Sequence, residues 1–317
     1  MKGLMDIAVK KSIVIFCRTL KVNDDPFSSD YYWQAYQDLI LALEKRGLDV
    51  YLATNNNTYI DYGVFSTAYK INGKAPLDKL IAVNNVRADL VFDRGGFIGR
   101  GVQTINTPFV QKIGMNKIEM YKHFAKFQGF SAICQNHDEV VKAFHDIEGA
   151  RVVVKEPEGY GGHEVYIGYK DEILNQLPDR YPLLIQEFLD TSIGVPGYAT
   201  GVHDVRLSMC GGVLIGCYVR QAKPGSLHSN VSQGGKMIFM DVNEAPLAVV
   251  GAAKEVDKLF EAAPRYYSVD FVNTPKGWKM LEINPYLALL PVTDGPEAIK
   301  TMEKLADYLV AIVKDLA

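Results

Sequence analysis

Ser268-Val269-Asp270-Phe271-Val272 and Lys279-Met280-Leu281-Glu282-Ile283-Asn284 decide how this chain is read. Both segments are strand-like, and the residues between them, Asn273-Thr274-Pro275-Lys276-Gly277, carry turn chemistry, so together they form a hairpin. Alternation sends Val269, Phe271, Leu281 and Ile283 to one face, and Asp270, Glu282 and Asn284 to the other. If Phe271 pairs with Leu281, Asp270 stands opposite Glu282 with Cβ atoms about 4.5–5.5 Å apart. Two carboxylates at that spacing repel by roughly 3 kcal/mol at an effective dielectric of about 20. A bound divalent cation turns that cost into a gain. Hard oxygen donors with an amide oxygen beside them suit Mg²⁺, which keeps its other positions for water and phosphate. The competing reading of these residues alone is a solvated polar face on an edge hairpin.

Two amphipathic stretches flank this hairpin, Asn243 to Ala263 and Pro296 to Leu316, and both are expected to be helices. Upstream, Asp204 to Met209 and Val213 to Arg220 make a second hairpin around Gly211-Gly212. A strict two-residue turn there puts Arg206 and Arg220 on opposite faces. A bulge, with Gly216 the candidate position, brings both to one face. Arg151 to Lys155 and Leu183 to Phe188 are further strands, the first followed by the glycine-rich stretch Glu158 to Val165. Such a stretch is either a plain turn or a loop whose backbone N–H groups approach phosphate oxygens. Lys155 is correspondingly either a strand-end surface lysine or a point charge for phosphate.

Toward the N-terminus, Ser12 to Cys17 is an apolar run suited to a buried parallel strand. Helical periodicity runs from Tyr31 to Arg46 and stops at Gly47, and Asp49 to Ala53 and Asp89 to Asp93 are strands. This is the pattern of an open α/β sheet, whose ligands meet the loops after strand C-termini; Arg18, Asp24, Asp25, Asp93 and Arg94 fall there. Tyr31, Tyr32 and Trp33 either pack in the core or border a pocket. The pattern changes near Thr107-Pro108, after which Asn116 to Gln128 and Asp138 to Glu148 are expected helices.

A length of 317 residues permits two domains. The net charge of −3 argues against nucleic-acid binding as the main activity. No apolar run is long enough for a membrane span. Cys17, Cys134, Cys210 and Cys217 form no CxxC pair, which reads as reduced thiols and a cytoplasmic location. The six His are scattered, which argues against zinc.

Taken in order, these pieces resemble the ATP-grasp superfamily, and most closely its ribosomal-protein glutamate ligase and glutathione synthetase-like branch. The resemblance covers roughly Thr107 to Ala317. It implies an ATP-grasp fold with an N-terminal Rossmann-like domain: residues 1–106 as that domain, 107–186 as a small lid subdomain, and 187–317 as the subdomain carrying the metal site. Asn116-Lys117-Ile118 resembles the family's first nucleotide lysine and Val154-Lys155 the second. Glu158, Gly161 and Gly162 resemble the phosphate-covering loop. Gln186-Glu187-Phe188-Leu189 resembles the hinge that holds adenine. Asp204 and Arg206 match an Asp-x-Arg strand. Arg220, Ser229-Asn230 and Gly234-Gly235 match the family's next arginine, its asparagine and its paired glycines. Asp270, Glu282 and Asn284 match the metal ligands.

The likeness implies an ATP-dependent carboxylate–amine ligase working through an acyl phosphate, with Mg²⁺, or Mn²⁺ in its place. Its partners would be a small carboxylate and an amine, as amino acid or peptide, with no nucleic acid and no membrane, and the chain would assemble as a homo-oligomer. Arg220 would serve the acyl phosphate, Arg206 an acceptor carboxylate or phosphate, and Asp204 and Asn230 the nucleotide, with Asn230 orienting metal or phosphate. An ATP-grasp kinase and a non-catalytic ATP-binding regulatory module are the alternatives. The chain departs from the family at Asn284-Pro285-Tyr286-Leu287, where Asn-x-Pro-Gly is common, and at His228, where arginine is frequent. Acceptor specificity therefore does not carry across.

Overall fold

The computed structural model describes residues 10–159, 164–261 and 264–316. Two compact units divide the chain: Met1–Thr107 with Tyr286–Ala317, and Pro108–Pro285.

The first unit runs through β1 (Ser12–Cys17), α1 (Asp30–Lys45), β2 (Asp49–Ala53), β3 (Tyr59–Asp61), β4 (Val64–Lys70), β5 (Ile81–Arg87), β6 (Leu90–Arg94) and β7 (Gln103–Ile105). The strand order is β3-β4-β2-β1-β6-β7, with β5 paired to β4. β1 is buried along its whole length, which its apolar run requires of a central parallel strand. β2, β1, β6 and β7 are parallel. An antiparallel meander, β3 to β5, extends this core and was absent from the sequence expectation. α1 buries Trp33, Tyr36, Leu39 and Leu43, and the Trp33 indole N–H donates to the Ala75 carbonyl at 3.1 Å. Trp33 is thus a core residue.

The second unit continues with α2 (Pro108–Met115), α3 (Lys117–Phe124), β8 (Ser131–Cys134), α4 (His137–Asp146), β9 (Arg151–Lys155), β10 (Val165–Tyr169), α5 (Lys170–Leu174) and β11 (Leu183–Glu187). After these come β12 (His203–Cys210), β13 (Val213–Gln221), β14 (Lys236–Met240), α6 (Leu247–Asp257), β15 (Tyr266–Thr274) and β16 (Gly277–Asn284). They form a four-stranded sheet, β10-β9-β11-β8, and a five-stranded one, β14-β13-β12-β15-β16. In the first sheet Val152, Val154, Leu183 and Ile185 pack on Val140 and Phe144 of α4. In the second, Val205, Leu207, Val219, Val269 and Phe271 pack with Val249, Ala253 and Val256 of α6. Alternation turns Val153 and Lys155 of the first sheet, and Asp204, Arg206 and Arg220 of the second, to the face opposite these cores.

α6 is shorter than the expected 243–263. The Asp241 carboxylate accepts the Asn243 N–H at 2.9 Å and its amide at 2.8 Å, holding a turn, and Pro246 then caps the helix. The last helix, α7 (Pro296–Asp315), packs on α1, where Arg46 donates to Asp307 at 2.7 Å and also pairs with Glu303. Residues 286–317 therefore cluster with the first unit, and the expected 187–317 subdomain is divided at Pro285. Apolar periodicity reveals a helix; it does not reveal which sheet or helix covers it.

Candidate active site

The polar face of β12, β13, β15 and β16 is organised by two bulges. Between β12 and β13, Ser208 pairs with Gly216 but Met209 with Leu214, leaving Ile215 as the extra residue. Asp204 consequently faces Arg220, so Asp204, Arg206 and Arg220 share one side of the sheet. Between β15 and β16, Asp270 pairs with Glu282 while Phe271 pairs with Met280. The expected Phe271–Leu281 pairing is corrected: Leu281 is the bulged residue, Met280 takes the core position, and Leu281 turns to a cleft beside Glu282. A bulge breaks simple alternation, so a period-two reading misplaces the residue next to it.

Asp270 is completely buried and is the hub of this face. Arg206 grips it with two bonds, Nε to Oδ1 at 2.7 Å and Nη2 to Oδ2 at 2.6 Å. Arg220 adds Nη2 to Oδ2 at 2.6 Å and donates from Nε to Asp204 Oδ1 at 2.7 Å. Ser229 Oγ closes the chain by donating to the other Asp204 oxygen. Burial opposes the charge on Asp270, yet the two guanidiniums hold its carboxyl below the usual aspartate range. Among the described residues the bonds of Arg220 run from Nε and Nη2 and leave Nη1 without a partner, and Arg220 lines the cleft. Arg206 is buried and does not line it.

Glu282 does line it, with its side chain 41% exposed. Its low-polarity setting, and then the facing Asp270 charge, push its carboxyl above the ordinary glutamate range. The two carboxyls are within hydrogen-bonding reach, so a proton stabilises the pair. A divalent cation fits the same donor set. A carboxylate offers about four lone-pair sites, and the arginines use three on Asp270. Glu282 and the Asn284 amide are of the hard oxygen type that Mg²⁺ takes. Asn284 pairs opposite Ser268 on the strand face shared with Glu282, outside the cleft lining. Among the described residues no three His, Cys, Asp or Glu side chains converge, so the amide would be needed to make a third protein ligand.

Two lysines supply positive charge to the cleft. Lys117 opens α3, whose N-cap Asn116 accepts the Ile118 and Glu119 N–H groups at 3.0 Å. Its Nζ donates to the Gly159 carbonyl at 3.1 Å. Burial lowers the Lys117 pKa, while Glu282 and nearby glutamates oppose that. Lys155 ends β9, and burial lowers its ammonium to about 8, Glu282 resisting and Lys117 assisting. Glu158 is exposed and outside the lining; Gly161 and Gly162 lie outside the described residues.

The apolar walls come from Val153, Val165, Ile167, Phe188, Leu189, Met280 and Leu281. Val153 shares the strand face of Lys155, away from the Val152–Val154 core, so alternation alone signals it. The side chains of Gln186 and Glu187 are committed elsewhere: Gln186 Nε2 donates to Ser131 Oγ at 2.8 Å, and Glu187 Oε1 accepts the Phe130 N–H at 2.8 Å. Any contact they make to a ring in the cleft would be through the main chain. Asn230 and His228 line the far wall, on the loop where Gly235 packs against the Ser229 carbonyl too closely for a Cβ. Sequence reasoning missed Thr191 and Val202, which also line the cleft, because the 189–202 loop has no periodicity to read.

The fold that carries this cleft is shared with solved structures. A D-alanyl-alanine synthetase A from Vibrio cholerae superposes with a TM-score of 0.64 at 14% identity, covering 97% of this chain and 98% of that one. A RiPP-associated ATP-grasp ligase from Chryseobacterium gregarium, in complex with ADP and a leader and core peptide, gives 0.62 at 14% identity, covering 97% of each. In sequence, a probable alpha-L-glutamate ligase of Legionella pneumophila (strain Corby) is 28% identical over 192 residues, 59% of each protein. The chain thus matches somewhat over half the length of that curated relative. The RimK-like ATP-grasp domain matches residues 119–307, more than half of the 317, and the protein belongs to that family.

Proposed function

We propose that this protein is an ATP-dependent carboxylate–amine ligase. The observation that carries the reading is the convergence of Lys117, Lys155, Arg220 and Glu282 on one apolar-walled cleft. The apolar walls suit a purine, with main-chain groups after β11 reading its edge. Lys117 and Lys155 would hold the phosphates, and the free Nη1 of Arg220 would steady the transferring group. Arg206, spent on Asp270, would act by holding that carboxylate, and not, as its family likeness first implied, by touching an acceptor. Asp204 would act in the same way, by aiming Arg220, and Asn230 would face the phosphates.

In the proposed reaction a substrate carboxylate oxygen takes the γ-phosphoryl group, giving an acyl phosphate and ADP. An amine then attacks the acyl carbon, phosphate departs, and the amine loses a proton to leave an amide. Glu282, Asp270 and Asn284 would hold Mg²⁺, which supplies charge neutralisation between two anions. The curated relatives are named for glutamate, so L-glutamate leads the list of acids and amines to screen. The test is release of ADP and phosphate from ATP and Mg²⁺ with amino acids and short peptides in pairs. Turnover needing both a carboxylate and an amine supports the ligase. ADP formed with an alcohol alone, or nucleotide binding without turnover, replaces it.

A further inference from the structure

A second cavity lies in the unit formed by Pro108–Pro285, separate from the nucleotide cleft and sharing no lining residue with it. It measures about 280 Å³ and is bounded by Trp278, Tyr198, Met240, Pro196 and Pro246, with Glu244 at its edge. It is open on one side and is built from the 195–198 loop, the 240–246 turn, Asn273 and Trp278. Val195 and Ala199 bridge to each other and fold the loop that carries Pro196 and Tyr198. The Asp241 turn and Pro246 deliver Glu244, and the starting end of β16 delivers Trp278.

Its polar chemistry has one sign. Tyr198 Oη donates to Glu244 Oε2 at 2.5 Å, fixing the carboxylate and, among the described residues, leaving Oε1 without a partner. That bond, ahead of burial, pushes the Tyr198 phenol up to about 12, so it stays a donor. Asp241 also lies close enough to act on Tyr198, and no lysine or arginine lines the cavity. Two aromatic rings and a carboxylate held by Tyr198 form an environment that attracts an organic cation, through ring quadrupoles and charge together, while the Met240 sulfur is engaged by Cys217 at 3.6 Å. A neutral apolar guest gains nothing from Glu244, and an anion is repelled by it.

We infer that this cavity is a binding site for a small organic ammonium compound. Calorimetric titration of the full chain, with its nucleotide cleft saturated by ADP, tests it using choline against its uncharged isostere 3,3-dimethyl-1-butanol. Choline is expected to bind saturably and at least tenfold more tightly than the alcohol. Glu244→Gln, a change at an exposed position, is expected to weaken choline about tenfold and leave the alcohol unchanged. Trp278→Leu, in a protein with an unaltered melting temperature, is expected to abolish the difference. Equal binding of the two probes, no saturable binding of choline, or choline affinity unaffected by Glu244→Gln each overturns the assignment.

Discussion

Lys155 gives the sharpest test of the nucleotide cleft because its charge is unsettled near neutral pH. In the free protein burial lowers its ammonium to about 8 from a reference of 10.5. A bound phosphate restores the ammonium, so binding above pH 8 must take up a proton, and affinity falls as pH rises. With about 8 in the free protein and about 10.5 in the complex, ADP affinity drops roughly 20-fold between pH 7.5 and 9.5. That is an upper figure, since Lys155 keeps partial access to solvent. The assay is ADP titration by calorimetry in two buffers of different ionisation enthalpy, without divalent cation so that metal binding at Glu282 adds no protons of its own. Above pH 7.5 the nucleotide's own phosphates are fully ionised. Lys155→Arg should bind with a shallower pH dependence than the wild type, because its guanidinium stays charged while only Lys117, also lowered by burial, still titrates. A flat wild-type profile, or an equal slope in Lys155→Arg, refutes the placement of Lys155 against phosphate.

Glu282→Gln should remove at least 99% of turnover at saturating Mg²⁺ while shifting the melting temperature little, since this side chain is partly open; activity near the wild type ends its role at the metal. Asp270→Ala should behave oppositely and destabilise the fold by about 3–5 kcal/mol, because two buried guanidiniums lose their partner; denaturant melts read this directly, and a change under 1 kcal/mol contradicts the network. Arg220→Lys should keep nucleotide affinity within a few-fold but depress kcat, since a compact ammonium does not span Asp204, Asp270 and an anion as the planar guanidinium does; an unchanged kcat removes Arg220 from the reacting group. Gly235→Ala should impair turnover through the Asn230 loop, where a Cβ meets the Ser229 carbonyl; full activity would show that this loop shape is dispensable.

Much of this was readable from residue order. The buried run of β1 and the helix spanning α1 follow from apolar runs and periodicity, whereas Asp270 faces Glu282 through the bulge at Leu281 and not through the expected Phe271–Leu281 register. The bulge needed to align Arg206 with Arg220 was foreseeable, because a tight Gly211-Gly212 turn fixes the register otherwise. The bulge at Leu281 was not, since nothing in Lys279-Met280-Leu281 breaks the alternating pattern. Nor was the commitment of the Gln186 and Glu187 side chains to Ser131 and Phe130, more than fifty residues away. Long-range pairing of polar groups leaves no periodic trace. The meander from β3 to β5 escaped for a related reason, its outermost strand being exposed on both faces.

Residues on either side of the Pro108–Pro285 unit meet in one body, since α7 lies on α1 and Arg46 reaches Glu303 and Asp307. Along the sequence, the Pro108–Pro285 unit is thus a guest inserted between two halves of its host. Clipping α7 would first loosen the host around α1, about 260 positions earlier in sequence, and spare the guest's own hydrophobic interior. A shortened chain that still captures ADP yet melts in two steps is the behaviour this lacing dictates.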